Sequence, residues 1–382
     1  MRILFTSTAG TGHMNPLFPL ARAARTAGHQ VLFAVPATGR PIAERNGFAA
    51  AVTESGIPSA DEAEFWRGLP GQPDGNTYVF AGLFGRLRAR AAFAPIGRIA
   101  DDFGPDLIIS EQAEFAGPIQ AELRGVPHVT VGIGSITLPG ADFAPAVREI
   151  NSLRAEVGLP SMDALPWEHR TQFVTGLPDV LQLDPTSMPA STLRYRFEDA
   201  EGPVGPVSRK GDRVRVYASL GTAAAFQTQV RQAFSALLTG LGSADADVTF
   251  TVGALDLGSL GPIPPNVRVA PYLPQQVAMQ CDIVVTHGGS GTTAAALTRG
   301  LPIVAIPLFA DQPHNATQIA RAGVGVVVDQ RRIATDVAPA ITTVAGDPSY
   351  AAAAQRISRE IGALPGVGEV FDQLVAQITV AA

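Results

Sequence analysis

The feature that most constrains this chain is an alternation, run through twice, of short β-rich segments with helix-patterned ones. Strands are expected at Arg2–Ser7, Gln30–Val35, Leu107–Ser110 and His128–Gly132. Between the first two, Leu17–Ala27 carries apolar residues at helical spacing and Gly28 as a stop. Strand, helix and strand in such close succession form a βαβ unit, which makes a parallel sheet with helices on both faces. A second series begins near Arg213, with strands at Val214–Ser219, Val248–Val252, Val267–Ala270, Ile283–Thr286, Ile303–Ile306 and Val324–Val328. Helices at Thr228–Thr239, Gly291–Arg299 and His314–Ala322 fall between them.

The 382 residues suit two domains better than one core. The expected class is α/β, with two doubly wound domains facing across a cleft. Residues 1–198 form the first and 213–365 the second. The segment 199–212, rich in Gly, Pro and charge without periodicity, reads as a linker. Residues 366–382 read as one amphipathic helix that packs back toward the first domain.

Composition removes several classes of function. The net charge of −6 supplies no basic footprint for nucleic acid. A single cysteine, Cys281, excludes an intramolecular disulfide framework and a Cys-rich metal site. The apolar runs are too short to span a bilayer, so no stable membrane association is expected. The first strand runs straight into Gly10 without the apolar stretch of a signal peptide, and a cytoplasmic location is the default. Arginine almost excludes lysine, which hints at a GC-rich bacterial genome.

In open α/β sheets ligands sit beyond the carboxyl ends of strands, and two such loops stand out. Val285-Thr286-His287-Gly288-Gly289-Ser290-Gly291-Thr292-Thr293 takes a buried strand through a Gly-rich turn into a helix. Glycines let backbone N–H groups approach an anion, and the helix start adds free donors and a positive dipole end. Ser290 and Thr292 add hydroxyls, and His287 a ring donor. The bland alternative is a strand-to-helix turn capped by Thr292. No Gly-Lys-Ser/Thr is present, so this is not a Walker A loop.

These residues, followed by Gly300-Leu301-Pro302-Ile303-Val304-Ala305-Ile306-Pro307 and Asp311-Gln312-Pro313-His314-Asn315-Ala316, resemble the donor-site signature of family 1 glycosyltransferases. Tyr272-Leu273-Pro274-Gln275 and Ser219-Leu220-Gly221-Thr222 add to the likeness, which covers almost the whole chain in order and spacing. The resemblance is to bacterial antibiotic and other natural-product transferases that use TDP-sugars. It implies the GT-B fold, with two Rossmann-like domains, and a hexosyl-type transferase. It also implies that His287, Gly288, Gly289, Ser290, Gly291 and Thr292 hold the diphosphate, with Thr222 nearby. Leu273 would meet the base through its backbone while Tyr272 packs against it. Asp311 and Gln312 would take the hydroxyls of the donor sugar. Where many UDP-sugar members carry a Glu that grips the ribose, this chain has Ala295, which inclines the reading to thymidine diphosphate. The donor is a co-substrate, and no cofactor or obligatory metal is expected, on the reading that no Asp-x-Asp segment of the Mn²⁺-holding kind is present.

The second loop is Thr8-Ala9-Gly10-Thr11-Gly12-His13-Met14-Asn15-Pro16, which follows the first strand. It fails as a dinucleotide fingerprint because Asn15 stands where the third glycine belongs. It places His13 at an expected helix N-terminus, where the positive end disfavours imidazolium, with Pro16 in the first turn. A neutral imidazole there can take a proton from a hydroxyl. By resemblance His13 is the base of an inverting displacement, and Glu111 holds its second nitrogen, with Gln112 and Glu114 as rivals for that task. His29, His128 and His169 are expected to be structural.

Two aromatic-rich segments read as irregular, and by the resemblance they line an acceptor pocket. The first holds Phe65, Trp66, Tyr78, Phe80, Phe84 and Phe93, and the second Phe143, Met162 and Trp167. The bland alternative for any one of them is core. A small-molecule donor and an apolar acceptor are therefore the expected partners, and the sequence is compatible with a homodimer. A nucleotide-sugar epimerase of the same fold, a two-domain oxidoreductase and a non-catalytic helper are the competing classes. His13 argues against the epimerase, the missing Gly-x-Gly-x-x-Gly and its acidic ribose partner against the oxidoreductase, and the retained donor motif and His13 against the helper.

Overall fold

A computed structural model describes residues 1–8, 10–53, 59–69, 72, 74–135, 142–166, 172–182, 188–189, 191–198, 213–221, 228–253, 255–256, 258 and 260–381. The linker expected at 199–212, Thr222, His169 and Trp167 lie outside them. The chain divides into two compact units. The first comprises Met1–Gly176, Asp184–Arg196 and Pro365–Ala382, and the second Leu177–Leu183 and Phe197–Leu364.

The first unit holds strands β1 (Arg2–Thr6), β2 (Gln30–Val35), β3 (Ala49–Val52), β4 (Leu107–Glu111), β5 (His128–Val131), β6 (Gln172–Thr175) and β7 (Leu193–Arg194). They form one parallel sheet in the order β3-β2-β1-β4-β5-β6-β7. The chain starts at β1, winds outward through β2 and β3, then returns to β4 on the other side of β1. Both faces are covered, as parallel sheets require. One face carries the ring of Phe33, with the rings of Phe5, Phe18 and Phe48 centred 5.1–5.3 Å from it. The other buries Leu4, Ala34, Ile96, Ile108 and Ala116.

The second unit holds β8 (Val214–Ser219), β9 (Ala246–Thr251), β10 (Val267–Ala270), β11 (Ile283–Thr286), β12 (Ile303–Ala305) and β13 (Gly325–Val327). They too are all parallel, in the order β10-β9-β8-β11-β12-β13. Phe234, Leu237, Phe250 and Val337 fill one side of the sheet, and Ala294–Leu297, Ile319 and Ile357 the other.

Several expectations need correction. The aromatic-rich stretch from Phe65 is helical rather than irregular, with helices Ala60–Gly68 and Gly75–Tyr78, a π-helical run Val79–Arg88 and a helix Ala89–Phe103. The second such stretch contains the helix Ala144–Glu156. Pro16 does not sit inside one helix but separates two, Thr11–Met14 and Leu17–Thr26. A proline there has no N–H to continue the ladder and its ring crowds the preceding turn. The helix Val367–Ala381 belongs to the first unit, where the Phe371 ring lies 5.5 Å from that of His29. Among the described residues no helix is long and apolar enough to cross a membrane.

One buried cation ties together the helices behind β4 and β5. Arg154, 2% exposed, grips both carboxylate oxygens of Glu122 at 2.6 and 2.9 Å and donates from Nε to the Pro160 carbonyl at 2.9 Å. Arg154→Met strips these acceptors of their donors. Because Glu122 keeps some contact with water, the cost should sit near the low end for a broken buried pair, about 3 kcal/mol. Denaturant unfolding of the variant against the unmodified chain measures it, and a loss of a few tenths would show the pair to be inert.

Candidate active site

Both sheets reverse their winding at adjacent strands, β1/β4 in the first unit and β8/β11 in the second. Such switch points open a crevice at the carboxyl ends. In the first, Thr6 of β1 pairs with Ser110 of β4, so the chain leaving β1 and the last residue of β4, Glu111, emerge side by side. After β1 the backbone turns through Gly10 (φ 120°) into the one-turn helix Thr11–Met14. His13 is its third residue, so the helix-end field expected for it does not apply. What stands beside the ring is a carboxylate: His13 Nδ1 lies 3.0 Å from Glu111 Oε1.

Glu111 is fully buried. Burial alone would raise its proton affinity, but the His13 ring, the Ala113 N–H and the Thr8 hydroxyl outweigh that and hold the carboxyl below its ordinary range. Oε1 also accepts from Thr8 N and Thr8 Oγ1 at 3.2 and 2.7 Å, while Oε2 accepts from Ala113 N. An ionised carboxylate has no proton to give, so His13 Nδ1 must be the donor. In the neutral ring this leaves the lone pair on Nε2. Structure therefore pairs His13 with Glu111 rather than with Gln112 or Glu114. The Gln112 amide oxygen instead accepts from Ile133 N.

Behind this pair runs a second buried polar chain that the sequence did not signal. Glu114 accepts from the Thr6 hydroxyl and from Ala116 N and Gly117 N at 2.7 and 2.9 Å, anchoring the helix Ala116–Arg124. Thr6 and Ser110 hydroxyls lie 2.7 Å apart, and His128 Nε2 is 2.9 Å from Ser110 Oγ. Burial, with the charge of Glu111 adding to it, pushes the Glu114 carboxyl up to about 7. Burial pushes the His128 imidazole down to about 3, so the ring is neutral.

Aromatic rings extend from His13 in contact order. Phe84 lies 5.4 Å from the imidazole, Phe80 5.7 Å from Phe84, and Phe143 5.0 Å from Phe80. Phe80 and Phe84 both come from the π-helical run, a geometry common at functional sites. Phe65 and Trp66 are not part of this chain. Phe65 stacks on Tyr78 at 4.3 Å and meets Trp66 edge-on, a separate group in the same apolar cluster.

In the second unit His287 follows β11 directly. Its ring is wedged between two glycines: a Cβ on Gly221 would stand 2.7 Å from Nε2, and one on Gly289 2.5 Å. Burial lowers the ring's proton affinity more than Asp311 and the Ser219 backbone raise it, so His287 is neutral. The helix Ser290–Thr298 starts at Gly289, and among the described residues no side chain caps it, which leaves its first N–H groups for something else. Thr292 is thus no cap. The Ser290 hydroxyl donates to Asp311 Oδ2 at 2.6 Å, so its proton is committed to a carboxylate rather than held ready for phosphate. The Gln312 amide oxygen accepts from Leu308 N and Phe309 N at 2.9 and 3.0 Å, bracing its own loop. Tyr272 is 61% exposed, while Leu273 packs on the core. Gln275 Nε2 reaches the Gly291 carbonyl at 3.2 Å, joining that segment to the Gly-rich turn. Ala295 is buried within the second unit's core. An Asp-x-Asp triplet does exist, Asp245-Ala246-Asp247. It opens β9, at the opposite end of the strand from the Gly-rich turn, and both carboxylates pair with Arg213 at 2.8 and 3.1 Å. The described residues contain no metal-holding cluster of acidic, His or Cys side chains.

A family profile described as "Erythromycin biosynthesis protein CIII-like, C-terminal domain" matches residues 235–377. The chain is 30% identical over 387 aligned positions to L-demethylnoviosyl transferase of Streptomyces niveus, covering 99% of this chain and 98% of that one. This chain is a family 1 natural-product glycosyltransferase. Its fold is GT-B, as shown by likeness to the glycosyltransferase SnogD of Streptomyces nogalater, with TM-score 0.78, 26% identity and 99% of each chain covered. SsfS6 from Streptomyces sp. SF2575, solved with thymidine diphosphate, is equally similar in sequence, with TM-score 0.76, 26% identity and 99% of each chain covered.

The glycosyltransferase should report Glu114 in its unfolding. The folded value of about 7 lies above the ordinary 4.5, so between these values the folded state holds the proton more tightly. Stability from this group is full below about 4.5 and lost as pH rises to about 7. Glu114→Gln removes that loss. Relative to the unmodified enzyme the variant should gain about 3 kcal/mol across the window. Chemical denaturation at several pH values reads the difference, and a difference constant with pH would refute the assignment.

Proposed function

We propose that this glycosyltransferase moves a sugar, a deoxysugar for preference, from thymidine diphosphate to a hydroxyl of an apolar natural-product acceptor, inverting the anomeric carbon. The observation that carries the reading is the 3.0 Å pairing of His13 Nδ1 with Glu111, which directs the ring's basic Nε2 away from the protein's own carboxylate. In the reaction Nε2 takes the acceptor's hydroxyl proton as its oxygen bonds to the anomeric carbon. The bond to the diphosphate breaks on the opposite face, and the leaving group departs with both electrons. Glu111 fixes the ring's orientation and balances the imidazolium that forms.

Negative charge develops on the departing diphosphate. The uncapped N–H groups at the start of Ser290–Thr298 and the positive end of that helix are suited to meet it. Asp311 serves the donor sugar, and the exposed Tyr272 ring and the Leu273 backbone serve the base. The preference for thymidine rests on Ala295, which offers no carboxylate to a ribose 2′-hydroxyl, and on the likeness to SsfS6. The rings of Phe84, Phe80 and Phe143, in line from His13, supply an apolar wall for the acceptor.

A panel of nucleotide sugars and polycyclic or macrocyclic alcohols, read by mass spectrometry, tests the reading. His13→Ala should hold thymidine diphosphate as tightly as the unmodified enzyme but transfer to hydroxyl acceptors about 10²–10⁴ times more slowly. Turnover near normal in that variant would remove His13 from the chemistry. Product retaining the donor's anomeric configuration would remove the single displacement.

A further inference from the structure

One side chain near the donor loop has no part in the reaction above yet touches three pieces of it. Asn315 is completely buried in the helix Gln312–Arg321. Its Nδ2 lies 2.8 Å from the Gly288 carbonyl, 3.0 Å from Asp311 Oδ2 and 3.1 Å from Ser290 Oγ. Two of these are oxygens that can only accept, which fixes the amide with nitrogen toward the loop. Its own oxygen, Oδ1, is buried with no partner among the described residues. An unsatisfied buried carbonyl destabilises the fold, and an apolar residue would fill the same space without it.

We infer that Asn315 is a positioning residue for the donor, holding the Gly-rich turn and the Asp311 carboxylate in one fixed relation. In a trans peptide the C=O and the following N–H point in opposite directions. Drawing the Gly288 carbonyl toward Asn315 therefore aims the Gly289 N–H away from it, off the protein side of the turn. At the same time Asn315 and the Ser290 hydroxyl both donate to Asp311 Oδ2. Two donors on one oxygen stop the carboxylate from rotating and leave Oδ1 to receive a sugar hydroxyl. Among the described residues nothing else donates to Oδ1. The side chain thus sets the distance between the anchor for the diphosphate and the acceptor for the sugar. This rests on the donor-site reading of the preceding section.

The test compares thymidine diphosphate with thymidine diphosphate glucose by calorimetry on the full chain. Asn315→Ala should weaken the sugar nucleotide about tenfold more than the bare diphosphate, as expected for loosening a charged hydrogen bond. In an Asp311→Ala background that extra loss should vanish, because the carboxylate it acts through is gone. Equal losses on both ligands, or an extra loss undiminished without Asp311, would mean that Asn315 only supports the fold. Asn315→Ser, smaller and still polar, repeats the comparison if the alanine variant is too unstable to handle. Failure of the donor reading looks different: the unmodified enzyme then binds neither ligand. Should it bind the diphosphate with no gain from glucose, the sugar role of Asp311 falls, and this inference with it.

Discussion

A carboxylate with no access to water is tolerable only if its charge is answered from nearby, and the first unit is organised around answering Glu111. Its ligands come from three places: the loop after β1 through Thr8, the one-turn helix through His13, and its own turn through Ala113. That set exists only because β1 and β4 are neighbours, and they are neighbours because the sheet reverses its winding there. The imidazole is then aimed as a consequence of charge satisfaction. Protein interiors favour neutral side chains, so a buried, ionised residue at a strand end marks a place where folding energy has been set against chemistry.

The second unit solves a related problem with the opposite means. Its Gly-rich turn presents backbone, and several surrounding side chains brace that turn. Gln275 and Asn315 occupy carbonyls of Gly291 and Gly288, and Ser290 gives its proton to Asp311. His287 is held between two positions where any side chain beyond hydrogen would collide with it. What the turn itself exposes is therefore mainly amide. Amides do not change rotamer when a charged ligand arrives, which is the kind of preorganisation that costs nothing at the moment of reaction.

Sequence and structure agree where one signal dominates. Strands such as Val214–Ser219 and Ile283–Thr286 are dense in β-branched or aromatic residues and were readable to the residue. β3 was not: Ala49, Ala50 and Ala51 carry no strand preference, and only pairing with β2 makes them one. The Gly-bearing stretch around Phe80 misled for a different reason. Gly82 and Gly85 look like loop residues, but in the structure they are where other helices come close, against Phe65 and against the Ala146 carbonyl. At the candidate site, the family resemblance named Glu111 as the partner of His13 but left Gln112 and Glu114 as rivals, and the 3.0 Å contact chose between them. The chain Glu114–Thr6–Ser110–His128 was not legible, because it depends on the register of three strands and the start of a helix. Likewise Ser290 looked like a phosphate donor until Asp311, twenty-one residues on, was found to hold its proton.

The route of the chain between its two units has an outcome for recombination among relatives. Leu177–Leu183 belongs to the second unit, stitched there by His314 to the Leu181 carbonyl at 2.9 Å and by Gln318 to the Gln182 carbonyl at 2.7 Å. The final helix belongs to the first unit, with the Arg196 N–H donating to the Pro365 carbonyl at 2.8 Å. A chimaera spliced once, mid-chain, would thus import a foreign terminal helix onto the native first unit and leave a native strap on the foreign second one. Exchanging the second unit whole while keeping the first intact calls for four coordinated junctions, each cutting where a unit actually ends.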